Sequence, residues 1–224
     1  SSEIIQVGGV KVHGCLECNH CRRTGEEVCI QKDDPFNEWF EKMRAADGIV
    51  LATPVFVGNV TSEMKALIDR ACYISRMRVR VQGQDNIFKH KVAAPLIAVR
   101  RAGAMQAYFN IMSWFAISDM IVPTSSYFNF AFGLEPGDVD SDAEGIRTVK
   151  DLAANMAWLL KKLANYLPLM GRRTIQTCGG PFDVSGALAL PAGLMRCKKK
   201  DARRRPFLHP SIFCYEAIGR TGKI

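Results

Sequence analysis

Gly48-Ile49-Val50-Leu51-Ala52-Thr53-Pro54-Val55-Phe56-Val57-Gly58-Asn59-Val60-Thr61-Ser62-Glu63-Met64 passes from an apolar run, through a loop bounded by Pro and Gly, into the start of a helix. Residues 48–53 carry no polar alternation, which predicts a strand buried on both faces. Pro54 ends it. Thr61-Ser62-Glu63 is a helix-start signal. Met64, Leu67, Ile68, Ala71 and Cys72 then follow at i, i+3, i+4, i+7 and i+8, a single apolar stripe that makes Cys72 a core residue.

The same alternation of strand and helix extends to both sides. Residues 3–7 read as a short strand, closed by Gly8-Gly9. Asp34 and Pro35 open a helix whose stripe is Phe36, Trp39, Phe40 and Met43. Residues 92–99 read as a second buried strand, 105–118 as a helix, 120–122 as a strand and 143–166 as a long helix. Repeated strand–helix units with apolar strands predict an α/β fold, a doubly wound parallel sheet covered by helices on both faces.

Ligands of such sheets bind beyond the carboxyl ends of the strands. Two loops fall there. In the first, Thr53, Pro54, Val55, Phe56, Gly58, Asn59 and Val60 combine a fixed backbone with one flat aromatic face, suited to the edge of a planar heterocycle. In the second, Arg100, Arg101, Ala102 and Gly103 put two cations at a helix start, suited to a phosphate or an electron-rich ring. Taken singly, the first is also a strand-ending turn and the second a solvated basic pair.

Cys15, Cys18, Cys21 and Cys29 form a C-x2-C-x2-C-x7-C pattern with polar flanks. Thiols at intervals of three can converge on one point, and a fourth can close over it. Such a set suits an iron–sulfur cluster or zinc, or remains unliganded. Asp138, Asp140 and Asp142 alternate like a calcium loop, but Ala143 and Val149 stand where Gly and Glu are required.

The chain of 224 residues carries a net charge of +8, and all of the excess lies at one end. Residues 1–166 hold 19 basic and 19 acidic residues, and residues 167–224 hold 11 and 3. The division is therefore a domain at 1–166 and a basic tail at 167–224, with runs at Lys198-Lys199-Lys200 and Arg203-Arg204-Arg205. Contact with nucleic acid or an anionic membrane concerns the tail alone, and a solvated, partly disordered segment is the simpler reading. Residues 211–218 read as a strand within it. Eight cysteines, with no secretory signal and no apolar run of membrane-spanning length, place the chain in a reducing, cytoplasmic compartment.

The combination resembles the NAD(P)H-dependent FMN reductase and iron–sulfur flavoprotein branch of the flavodoxin-like superfamily. The matching pieces are His13-Gly14-Cys15 with Cys18 and Cys21, Asp33-Asp34, Ala46-Asp47-Gly48-Ile49-Val50, Thr53-Pro54-Val55 with Gly58-Asn59-Val60, Met64-Lys65-Ala66-Leu67-Ile68-Asp69-Arg70, Val99-Arg100-Arg101-Ala102-Gly103, Met120-Ile121-Val122-Pro123 and Asn155-Met156-Ala157-Trp158-Leu159-Leu160. The resemblance implies that residues 53–61 lie along a flavin ring and that residues 100–103 reach the same pocket. It implies FMN as cofactor, NAD(P)H as donor, a redox partner or small acceptor, and assembly as a homodimer or tetramer. It also implies a [4Fe–4S] cluster on Cys15, Cys18, Cys21 and Cys29 that exchanges electrons with FMN. The rival readings are a flavin-free metal-binding fragment and an interaction protein that uses the basic tail. One family piece has no counterpart, the strand, phosphate loop and helix that open a flavodoxin-like domain. In the order 2-1-3-4-5 that strand is central, so the sequence as it stands implies a gap in the sheet and weak hold on the FMN phosphate.

Overall fold

The computed structural model describes residues 2–170 and 212–216. The basic runs at 198–200 and 203–205, and most of the 167–224 tail, lie outside the described residues. Five strands form one sheet: β1 (Ser2–Gln6), β2 (Gly48–Pro54), β3 (Val92–Val99), β4 (Phe130–Phe132) and β5 (Ile212–Glu216). Their order is β1-β5-β2-β3-β4, and every neighbouring pair is parallel. This is a flavodoxin-like, doubly wound α/β sheet. β5 occupies the central place that the sequence reading leaves vacant, pairing Ile212 with both Ser2 and Gly48.

The helices are α1 (His20–Thr24), α2 (Phe36–Ala45), α3 (Ser62–Gln82), α4 (Ala104–Ile117) and α5 (Ala143–Met170). Because side chains alternate across a strand, β2 and β3 feed two cores. Ile49, Leu51, Ala93, Ile97 and Val99 pack with the apolar faces of α2, α3 and α4. Val92, Ala94 and the partly buried Val50 pack with Leu152, Met156 and Leu160 of α5. Phe36, Phe40, Phe88 and Trp114 form a chain of ring contacts through the first core, at centroid distances of 5.7, 5.7 and 5.3 Å.

The helix starts follow local chemistry. Thr61 Oγ1 accepts from Met64 N at 3.2 Å and caps α3. Asp34 Oδ1 accepts from Phe36 N at 3.2 Å at the start of α2. Cys72 is half-buried and packs against the first core.

The expected strand at residues 120–122 is corrected by the structure. It reduces to a single bridge of Ile121 to Val92, and the edge strand is β4, ten residues further on. The reason lies in β3. Ala93 N and Ile97 N donate outward to Ile121 O and Asn129 O, both at 2.9 Å, and Pro95 faces the same side with no N–H to give. A continuous partner would leave its carbonyl there unpaired. Instead the Asn129 side chain reaches in, and its Nδ2 donates to Pro95 O at 3.1 Å.

The structure makes β5 the bridge between β1 and the rest of the sheet. Each of its two ladders spans five residue pairs, and backbone hydrogen bonds contribute about 0.5–1.5 kcal/mol apiece. Their combined loss is comparable with the whole stability of an ordinary domain, about 5–15 kcal/mol. A chain ended after Met170 is therefore expected to lose its cooperative thermal transition in far-ultraviolet circular dichroism. An unchanged melting temperature would contradict the placement of β5.

Candidate functional site

At the carboxyl ends of β2 and β3 the two predicted loops meet. Val55 N donates to Ala98 O at 3.0 Å, which ties the first loop to the last turn of β3. Phe56 and Asn59 then exchange backbone hydrogen bonds of 2.8 and 3.0 Å, closing a tight turn with Val57 and Gly58 at its tip. Both tip residues have positive φ, 49° and 75°. For a β-branched residue such as Val57 this conformation is strained, and strain of this kind gathers at functional loops. Below the turn, Thr53 is 2% exposed; its hydroxyl accepts from Thr61 N at 3.3 Å and donates to Pro54 O at 3.0 Å. Asn59 Oδ1 accepts from Val60 N at 2.8 Å.

Gly103 closes the pair of loops. Its φ is 92°, and a Cβ there would lie 2.6 Å from Gly58 Cα and 3.0 Å from Val55 Cγ1. Only glycine permits that approach. The structure thus brings Thr53, Pro54, Val55, Phe56, Gly58, Asn59 and Val60 beside Gly103, with Arg100, Arg101 and Ala102 exposed just before it. The tip itself is open, with Phe56 58% exposed and Val57 fully so. The Val57 and Gly58 amides have no acceptor among the described residues. The loop therefore offers one flat aromatic face and two free donors on a rigid support.

The four cysteines of the motif also come together. Cys15, Cys18, Cys21 and Cys29 line one hollow with Leu16, Val28, Ile30, Arg70, Tyr73 and Ile74. Cys21 sits in the single turn of α1, where Gly25, at a φ of 72°, caps the chain by donating to Cys21 O at 3.1 Å. Burial pushes the Cys15 and Cys21 thiols up, and their cysteine neighbours push in the same direction; amides at Glu17 and Arg22 pull them partly back. The thiols thus share one electrostatic environment. They do not converge, however: among the described residues no three His, Cys, Asp or Glu donors stand close enough together to hold a metal ion. The donor chemistry fits a thiolate-bound cluster, because the lining of the hollow includes four cysteines and no carboxylate. A cluster would require the thiols to draw further together.

α3 holds this cysteine segment in place. Arg70 is 1% exposed. Its Nη1 donates to Asp34 Oδ2 at 2.5 Å and to His13 O at 3.1 Å, and its Nη2 donates to Gln31 O at 3.2 Å. Asp34 Oδ2 also accepts from His13 N at 3.0 Å. One turn on, the Tyr73 hydroxyl donates to Asn19 Oδ1 at 2.7 Å, between Cys18 and Cys21. Arg78 then pairs with Glu27. These anchors were not among the predicted site residues. A signal for Arg70 was present: it lies between Leu67 and Ile74 on the apolar stripe, where a charge must find a buried partner.

A sequence profile of the NADPH-dependent FMN reductase family matches residues 1–135. The chain belongs to the NADPH-dependent FMN reductase family. Within it, the chain is similar to an iron–sulfur flavoprotein of Methanosarcina thermophila, 32% identical over 172 residues, covering 75% of this chain and 80% of that protein. An iron–sulfur flavoprotein of Methanocaldococcus jannaschii is 31% identical over 165 residues, covering 71% and 81%. Among solved structures, the Trp repressor binding protein of Bacillus subtilis superposes with a TM-score of 0.44 at 16% identity, over 70% of this chain and 96% of that one. Members of this family are flavoprotein oxidoreductases, and no helix among the described residues is long and apolar enough to cross a membrane.

The buried pair has a defined pH signature. Burial alone would raise the Asp34 carboxyl, but hydrogen bonds from Arg70, His13 N and Phe36 N outweigh it and hold the group below its ordinary value. The stabilisation is thus complete above the unfolded carboxylate value, about 3.9, and is lost as pH falls through the lower folded value. Asp34→Ala strands Arg70 and is expected to cost about 3–5 kcal/mol at neutral pH. In urea melts followed by tryptophan fluorescence, that gap should shrink only below about pH 4. Equal stability of the two proteins at pH 7 would contradict the role given to the pair.

Proposed function

We propose that this flavoprotein takes electrons from NAD(P)H on FMN held by residues 53–61 and 100–103, and passes them through a [4Fe–4S] cluster on Cys15, Cys18, Cys21 and Cys29. The observation that carries the reading is the gathering of all four motif cysteines around one hollow, which is also lined by Arg70, Tyr73 and Ile74 of the helix that begins at the proposed flavin loop. The names of the similar archaeal proteins point the same way.

The residues divide the work. Phe56 would cover one side of the ring, and the Val57 and Gly58 amides would donate to the polar atoms at its edge. Gly103 keeps the second loop close enough for both loops to meet a single ligand. Arg100 and Arg101 have no carboxylate partner among the described residues, so their charge is free to meet an anionic part of the cofactor or of the nicotinamide donor. When bound, FMN and the cluster supply two-electron and one-electron chemistry, while the protein supplies position and electrostatics. No acid–base side chain is required at the ring.

An absorption spectrum of anaerobically prepared protein tests the assignment. Flavin gives resolved bands in the near-ultraviolet and blue, and a cluster adds a broad brown shoulder. Cys18→Ser is expected to remove iron, sulfide and the shoulder together, while Cys72→Ser keeps all three, since Cys72 packs against the core and does not line the hollow. Equal iron in wild type and the Cys18 variant would exclude the cluster. Zinc in its place would give the site a structural role.

A further inference from the structure

Arg70 makes more bonds than an anchor needs, and leaves one nitrogen without a partner. Its two terminal nitrogens serve Asp34, His13 O and Gln31 O, and its guanidinium carbon lies 4.0 Å from the centre of the Phe36 ring. The plane is therefore fixed from several sides. Its third nitrogen, Nε, is buried, and the N–H there has no acceptor among the described residues. A buried donor without a partner is costly and calls for an explanation such as an absent ligand. Arg70 lines the hollow that the four cysteines also line, and none of the oxygen-bearing side chains around it, Asn19, Gln31 and Tyr73, accepts from Nε.

From this juxtaposition we propose that Arg70 Nε–H donates a hydrogen bond to a sulfur of the bound cluster, and by doing so raises the cluster's reduction potential. The inference rests on the cluster assignment above. Its physical basis is simple. One-electron reduction adds negative charge to the cluster and its sulfurs, and a hydrogen bond to sulfur stabilises the more negative state. Lysine cannot reproduce the arrangement. It keeps the charge needed by Asp34, but it has one nitrogen in place of a rigid fork with three.

Asp34 supplies an independent handle of opposite sign. Its carboxylate offsets the Arg70 charge at a side-chain exposure of 0%. Asp34→Asn leaves the Nε–H in place and uncovers the positive charge, so the potential should rise. A guanidinium that merely ties down the loop gives a different result, in which both substitutions reduce iron content and neither moves the potential.

The test is an anaerobic redox titration of the cluster in the full chain, after reconstitution with iron and sulfide, with iron per chain measured in the same samples. Arg70→Lys is expected to retain most of its iron and to titrate at a lower potential than wild type. Asp34→Asn is expected to titrate at a higher one. Potentials equal to wild type in both variants would overturn the inference while leaving the cluster assignment intact. A wild type that takes up no cluster would remove the assignment itself, and the inference with it.

Discussion

One buried ion pair, between Arg70 on α3 and Asp34 at the start of α2, connects the chemistry of this chain to its sheet. Both side chains are withdrawn from water, so removing either leaves the other buried and unpaired. Arg70 then spends its further donors on His13 O and Gln31 O, which lie just outside the two ends of the cysteine motif. A segment with little regular structure is thereby fastened at both ends to a helix. Tyr73 and Arg78 extend the fastening along the same helix, to Asn19 and Glu27.

That helix also organises the other loop. Thr61 caps α3, and its backbone N–H reaches back to Thr53 at the end of β2. The turn that carries Phe56 is therefore held between a strand end and a helix cap. The anchors at Thr61 and Arg70 are nine residues apart on one helix, about 14 Å along its axis at 1.5 Å per residue. The two sites proposed to exchange electrons would gain from such a mount, because neither could drift without bending α3. The close approach of Gly103 to Gly58 adds the second loop to the same rigid body.

Local chemistry made much of this legible from residues alone. The apolar runs at 48–53 and 92–99 could only be buried strands, and Thr61 with its stripe could only begin a helix packed on them. The turn at 56–59 was marked by its Gly and Asn. What escaped the sequence reading depends on distant partners. Residues 120–122 have strand-like side chains, but whether they pair is decided by the missing N–H of Pro95, which is visible only once β3 is known to face them. The placement of β5 joins segments more than 150 residues apart, a pairing that no local pattern encodes. The four cysteines line one hollow, as their spacing suggests, but do not converge on one point; the helix that holds them was not legible, since Arg70 and Tyr73 meet Asp34 and Asn19 only in the folded chain.

The account places a flavin and a cluster in one chain, on segments fastened to one helix, and an anaerobic reductive titration counts them together. The full chain is saturated with FMN, reconstituted with iron and sulfide, and titrated with dithionite while the flavin bands and the brown shoulder are followed. The account predicts an uptake of about three electrons per chain, two by the flavin and one by the cluster. An uptake of about two electrons, with the flavin bleaching and no change left to assign to iron, would contradict it.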